Sequence, residues 1–373
     1  MLGNDIQIQQ LVGVGDVLLS FAPDQRVYCL IGENGIGKTK CLEALFTLYF
    51  ANHKLIFNQI WSDELFVFEN IIIDGRTLYS HKGIEPLKGF DSHDVAIVMI
   101  GAMNRGTINN EESYIDKNIG THTLRLDNYI SRSFAALNNQ GMQSLGMSEL
   151  LNQWIIQRAQ SANPYQAKED NREVEITTLL ALLNKVDERI DAKFLEISGD
   201  NRVFIKVAEK KTELSELSSG FASLLKIMQS IIAGYSYFTN ETNIAQVKGV
   251  VFIDEIESHL HTKWQAKIIP TLKDLFPNTT FYITTHSAIV ISQLQQGEAY
   301  ELYRDDLDGI VKSKLIKHPN NSAFVDLLKD AFDVDINRLK LKRDNAPQQT
   351  QAKKALLSLI DKKLQQLEEM GPS

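Results

Sequence analysis

The sequence predicts an α/β fold: a mixed β-sheet laid around a glycine-rich loop, with a short helical insertion and a C-terminal helical tail. Three observations predict it. The apolar, β-prone run RVYCLI (26–31) leads directly into GENGIGKT and then into the helix-like CLEALFTLYF. Late in the chain, KGVVFID (248–254) and TTFYITT (279–285) bracket the helix-like KWQAKIIPTLKDLF as a βαβ unit. Between these two regions, residues 121–193 turn to helical periodicity. With 373 residues, 43% hydrophobic and 23% charged, the chain can bury one large core and still carry a subdomain.

In chain order, ELFVFENIIIDGRTLYS reads as strands about a turn at Asp74-Gly75, and DVAIVMIG (94–101) as another buried strand; both would continue an N-terminal β-rich half. Met147, Leu150, Leu151, Trp154 and Ile155 share one helical face, as do Ile176, Leu179, Leu180, Leu183, Val186 and Ile190, with the polar stretch 160–173 between them. FLEIS and RVFIKV pair about Gly199-Asp200-Asn201, after which LSELSSGFASLLKIMQSII opens an amphipathic helix at Phe221. YELYR and GIVKSKL form a closing hairpin, and ALLSLIDKKLQQLEE (355–369) a terminal helix with Leu356, Leu357, Ile360, Leu364 and Leu367 on one side. The resulting division is 1–120, 121–193, 194–318 and 319–373.

Several classes are disfavoured at once. Cys29 and Cys41 are too few for a disulfide framework and lack metal-ligand spacing, which predicts a reduced, cytoplasmic protein. No run approaches the ~18 apolar residues of a membrane helix, and MLGNDIQIQQ lacks a basic-then-apolar signal pattern. The formal charge of -8 gives no general attraction to nucleic acid, while leaving open a local basic groove.

The glycine-rich loop carries the chemistry. Gly32 to Thr39 match G-x-x-x-x-G-K-[ST], in which backbone N–H groups curl around phosphates at a helix N-terminus. Asn34, Gly35, Ile36, Gly37, Lys38, Thr39 and Lys40 would line the nucleotide; Lys38 reaches the β and γ phosphates, and Thr39 ligates Mg²⁺. Asp254 and Glu255 close the apolar run Val250 to Ile253, at a strand's carboxyl end where α/β ligand sites form. Asp254 is predicted to hold the Mg²⁺ shell and Glu255 to polarise the attacking water. His286 follows FYITT at another strand end and, while neutral, can donate to the γ phosphate. Leu217-Ser218-Ser219-Gly220 stands before a helix; Ser218 is either an anion-binding hydroxyl or a plain N-cap.

Taken in order, GENGIGKT, LSSG, VVFIDEIESHLH and FYITTHS resemble the head domain of ABC-type ATPases over most of the chain outside 121–193 and the tail. That resemblance implies a head-to-head dimer, in which Ser218, Ser219 and Gly220 of one subunit close over ATP held by the phosphate loop of the other. Isologous symmetry fits such an arrangement. Within the superfamily, DEIESHLHTKWQAKIIPTLKDLFPNTTFYITTHSAIVI is similar to OLD-like and Septu-like ATPases of anti-phage systems, through Glu257, His259, Leu260 and His261. The likeness makes Ser258 to His261 the D-loop at the dimer seam, and assigns His259 and His261 to that interface in preference to a metal. Phe221, Thr262 and Lys40 depart from the family's usual residues. VMIGAMNRG resembles the Q-loop region, which makes Arg105 a candidate contact.

The span from Thr39 to Leu217 admits a short helical subdomain but no long heptad arms. Asp333 and Asp335 read as surface acids, and no TOPRIM constellation follows His286. These features predict a motor or sensor in which ATP-driven dimerisation lets the 121–193 helices and the terminal helix hold a separately encoded nuclease or toxin. A RecF-like or SMC-like repair ATPase clamping DNA is the alternative, and a transporter subunit is a third reading. The terminal helix either docks that partner or packs on its own domain.

Overall fold

In the computed structural model the described residues are 3–56, 67–79, 92–108, 119–138, 141–147 and 150–320. The expected terminal helix, with Asp333 and Asp335, lies outside them. Ten strands form one mixed sheet: β1 (Asp5–Leu11), β2 (Gly15–Ser20), β3 (Val27–Ile31), β4 (Asn70–Ile73), β5 (Arg76–Tyr79), β6 (Ala96–Ile100), β10 (Gly249–Ile253), β11 (Thr279–Thr284), β12 (Ala299–Arg304) and β13 (Val311–Leu315). Their order is β5-β4-β1-β2-β13-β12-β3-β11-β10-β6. β7 (Ile190–Ile197), β8 (Val203–Val207) and β9 (Lys210–Glu213) make a separate antiparallel sheet.

Burial patterns explain the two halves of the large sheet. β3, β6 and β10 are buried at every residue, as strands covered on both faces must be, and with β11 they run parallel. β1, DIQIQQL, alternates; Ile6 and Ile8 are buried while Asp5 faces solvent, and it pairs antiparallel with β2 and β4. The DIQIQQL and GDVLLS strands were not foreseen from the sequence.

Helix α1 (Lys38–Ala51) follows β3 and is buried along nearly its whole length. α2 (His122–Asn138), α3 (Leu151–Ser161) and α4 (Glu173–Val186) occupy the predicted helical region, and α5 (Ser219–Phe238) lies between that region and β6, touching α2, α4 and the strand. Glu175, fully buried, ties α3 to α4 through Arg158 at 3.0 Å and Arg172 at 2.7 Å. Three short helices complete the set among the described residues: α6 (Thr262–Gln265), α7 (Ile268–Leu275) and α8 (Ala288–Ile291). None of the described helices is long and apolar enough to cross a membrane.

Several sequence expectations need correction. Ile190 is the first residue of β7, because Asp187 ends α4 with an extended backbone, so 121–193 is not helical to its end. Met147 and Leu150 precede α3, although Met147 is buried with it. DVAIVMIG does not extend the N-terminal meander: β6 pairs with β10 at the opposite edge of the sheet. The 300–315 hairpin forms but closes no edge; β12 pairs with β3 and β13 with β2, so it splices the antiparallel half to the parallel half. KWQAKIIPTLKDLF is broken between α6 and α7, and α5 begins at Ser219, two residues before Phe221.

Candidate functional site

Four neighbouring parallel strands, β3, β11, β10 and β6, deliver the site from their carboxyl ends. β3 is followed by the loop Gly32–Gly37, β11 by Thr285 and His286, β10 by Asp254 and Glu255, and β6 by the turn that carries Arg105. Strand order thus gathers residues separated by more than 200 positions, Thr39 and Asp254 among them, at one edge.

The glycine loop has no room for side chains at its ends. Gly32 has φ of 143°, and a Cβ there would stand 2.6 Å from the Leu302 carbonyl oxygen; at Gly37, φ is 108° and a Cβ would meet Val14 at 2.7 Å. α1 then starts with no side-chain cap and no acidic residue in its first turn to offset its positive end. Lys38 is buried and folds over this loop, donating to the Gly32 carbonyl at 2.9 Å and the Glu33 carbonyl at 2.8 Å. Burial lowers its pKa below the ordinary lysine value, opposed by Asp254, Glu255 and Glu257.

Thr39 Oγ1 lies 3.0 and 3.1 Å from the two oxygens of Asp254, which is 2% exposed. The Thr284 hydroxyl donates to Asp254 Oδ1 at 2.6 Å and accepts the Glu255 N–H at 2.7 Å. Glu255 is held in the left-handed region at φ 45°, a conformation that costs a non-glycine residue about 1 kcal/mol and persists only when neighbours fix it. Arg105 supplies part of that fixation. Its side chain is wholly buried, and Nη2 donates to the carbonyls of Asp254 and of Glu255, the latter at 2.8 Å. Burial pulls this guanidinium down to about 10 against the charges of Asp254, Glu257 and Glu255. The expectation that Arg105 reaches out as a loop contact is therefore corrected: it braces the main chain behind the carboxylates.

His286 is exposed, and its backbone N–H donates to Glu257 Oε1 at 2.6 Å. Partial burial, then Lys38, lowers its imidazole below the ordinary histidine range, which keeps it neutral near pH 7. Lys40 pairs with buried Glu43 at 2.7 Å, and Asn34 and Gly35 are exposed at the loop tip.

Ser218 caps α5, its Oγ accepting from the Phe221 N–H at a long 3.4 Å. Ser218 and Ser219 are exposed; Gly220 is buried, and a Cβ there would come within 3.2 Å of the His261 nitrogen. Among the described residues, no hydrogen bond or ion pair joins Ser218–Gly220 to Gly32–Thr39. α5 instead grips the neighbouring turns: the Ser223 hydroxyl donates to the Ser258 carbonyl at 3.1 Å and Lys226 Nζ to the Asn104 carbonyl at 2.6 Å. His259, at φ 64°, stands exposed over Gly106, and His261 caps α6 through Nδ1. Thr284, Glu257 and Lys226 were not singled out for these roles; only FYITTHS and DEIE, the segments that contain the first two, signalled them.

Comparison with known proteins places the chain. A family model described as "AAA domain, putative AbiEii toxin, Type IV TA system" matches residues 27–292. "Septu protein PtuA" of Bacillus mycoides (strain KBAB4) is 25% identical over 320 residues, covering 83% of this chain and 40% of that protein. "Retron Vc95 probable ATPase" of Vibrio cholerae serotype O1 biovar El Tor is 32% identical over 149 residues, 39% of this chain and 29% of that protein. The chain therefore spans less than half the length of these two curated relatives. Among solved structures, the SMC head bound to the C-winged helix domain of ScpA aligns with a TM-score of 0.46 and 11% identity, over 84% of this chain and 97% of that one. The match to the family model covers most of the chain and contains Gly32–Thr39, Asp254, Glu255 and His286, so the chain belongs to the family described as "AAA domain, putative AbiEii toxin, Type IV TA system".

Proposed function

We propose that this chain binds and hydrolyses Mg-ATP, and that two copies must face each other to do so. The observation that carries the reading is the junction of Thr39, Asp254 and Thr284, which sets a hydroxyl and a carboxylate side by side next to a loop whose N–H groups lack a cap. Hard oxygen donors of this kind suit Mg²⁺, and the uncapped start of α1 with Lys38 suits the triphosphate. In this reading Asn34 to Lys40 line the nucleotide, Thr39 and Asp254 hold the metal, Glu255 orients water, and neutral His286 senses the γ phosphate. Exposed Ser218 and Ser219, with the Gly220 N–H, would complete the site of the second copy.

The relatives named as Septu and retron proteins support a place in anti-phage defence, with the dimer acting as a nucleotide-controlled scaffold for a separate nuclease or toxin. The test is the solution mass and ATP turnover of the native chain and of Glu255→Gln in Mg-ATP. Turnover by the native chain, together with a variant that binds ATP, stops turning it over and accumulates as a dimer, is the expected result. Persistent ATP-bound monomers of both would refute the composite site; ATP-dependent, salt-sensitive DNA retention would favour a DNA clamp over effector control.

A further inference from the structure

Glu257 stands two residues beyond Glu255 on the turn that leaves β10, half-buried. Its two oxygens have separate partners: Oε1 accepts the His286 backbone N–H at 2.6 Å, and Oε2 the Thr285 hydroxyl at 2.6 Å. Both distances are short for hydrogen bonds of their kind. Thr285 Oγ1 in turn accepts the Ser287 N–H at 3.0 Å, so one carboxylate fixes three consecutive residues, 285 to 287. The two turns are already in register, because the Ile256 N–H donates to the Thr284 carbonyl at 3.0 Å. Glu255 and His286 thus hang from opposite ends of a single connection whose middle is Glu257.

Resting on the ATPase reading, we propose that Glu257 is a positioning residue for hydrolysis: through the His286 backbone it fixes the imidazole relative to the Glu255 carboxylate, so that both address one phosphate. Its charge matters as well as its shape. The groups that face His286 are Lys38 from the phosphate loop side and Glu257, Glu255 and Asp254 from the β10 side; Lys38 lowers the imidazole pKa and the three carboxylates raise it, while partial burial lowers it most. Glu257→Gln keeps the size of the side chain and can still accept one of the two bonds, but it presents an N–H where the Thr285 hydroxyl now donates, and it removes one of the charges that favour imidazolium.

The experiment is steady-state ATP turnover by the native chain, Glu257→Gln, His286→Ala and the double variant, with thermal midpoints to certify folding. Glu257→Gln should lower kcat about tenfold with KM for ATP within about twofold, the pattern of lost orientation with retained binding. In the His286→Ala background the same change should add nothing, because the effect passes through that residue. The acid limb of kcat in Glu257→Gln should also move to lower pH, a displacement that loss of packing alone does not produce. If Glu257→Gln folds poorly, Thr285→Val should reproduce the kcat loss and Thr285→Ser restore it. Native kcat in Glu257→Gln, multiplicative losses in the double variant, or an unmoved acid limb would each overturn the proposal. Absence of turnover in the native chain would instead sink the ATPase reading on which it rests.

Discussion

The carboxyl edge of the sheet and the start of α5 are built in opposite ways. At the sheet edge, Asp254, Glu255, Thr284 and Arg105 are joined by hydrogen bonds, Glu257 holds Thr285 and His286 beside them, and the strained backbone of Glu255 is tied at its N–H, its carbonyl and its side chain, the last by the Ser258 hydroxyl at 2.9 Å. At the start of α5, Ser218 and Ser219 face solvent, and the Ser218 hydroxyl makes one long capping bond to the helix. A side chain that is fully engaged within its own chain is preorganised for chemistry; one left exposed at a positive helix end is open to water or to a partner. The contrast argues for a site divided between two copies, and it can be broken experimentally.

The largest effect should come from mixing two dead variants. On the proposed composite site, Lys38→Ala removes the ammonium that would meet the triphosphate and Ser218→Arg blocks the approach to the α5 terminus, so each alone should lose turnover by about a hundredfold or more. Mixed, the proposed dimers would include heterodimers with one intact composite site, and turnover should return. If the mixture stays as inactive as its components, the two regions serve one chain and the division is wrong.

Next comes the interior brace. Arg105→Met keeps the volume but leaves two main-chain carbonyls and three nearby carboxylates without their buried cation, which should cost about 3 kcal/mol of unfolding free energy by urea titration. Turnover should fall with it, because Glu255 would relax from its left-handed conformation. Unchanged stability would show that the brace is dispensable and that β10 alone holds the turn.

What the sequence made legible follows the same divide. GENGIGKT and the Asp254-Glu255 pair were readable because their parts are contiguous and each follows a strand. Arg105 stands out in the sequence only as a candidate contact; its bracing role depends on β6 lying next to β10, and the bond it makes to Asp254 spans 149 positions that no local pattern records. Glu257 was visible only as a letter in a motif; that it holds the His286 turn depends on where β11 ends. The hairpin 300–315 was found as a pair of strands, yet its burial between β3 and β2 was hidden, because antiparallel pairing is local and parallel pairing is not. Ile190 fitted the helical period by coincidence and belongs to a strand.

Acid sensitivity of folding should come from the buried histidines His53 and His93. Burial depresses His53 to about 4, and His93, whose ring lies 5.4 Å from it, is lowered for the same reason. Both are neutral in the fold, whereas an unfolded histidine titrates near 6.5. Above that pH nothing is lost; as pH falls from about 6.5 towards 4 the unfolded chain takes up protons that the fold refuses, and His53 accounts for up to about 3 kcal/mol of lost stability. His53→Asn, which retains an acceptor for the Leu55 N–H, should flatten that slope. An undiminished slope after this change would overturn the assignment to His53.

The smallest structural effect is expected at Ser218, and it is the sharpest test of the divide. The cap bond is 3.4 Å long and open to water, so Ser218→Ala should change unfolding free energy by about 0.5 kcal/mol, the low end for a lost N-cap. If the hydroxyl also meets the nucleotide of a second copy, turnover should fall about tenfold, a loss equivalent to about 1.4 kcal/mol and larger than the change in stability. Capping acts on α5 whether or not ATP is present, whereas contact with a partner's nucleotide acts only during turnover. A turnover loss no larger than the loss of stability would therefore reduce Ser218 to a helix cap, and the divided site would have to rest on Ser219 and Gly220 alone.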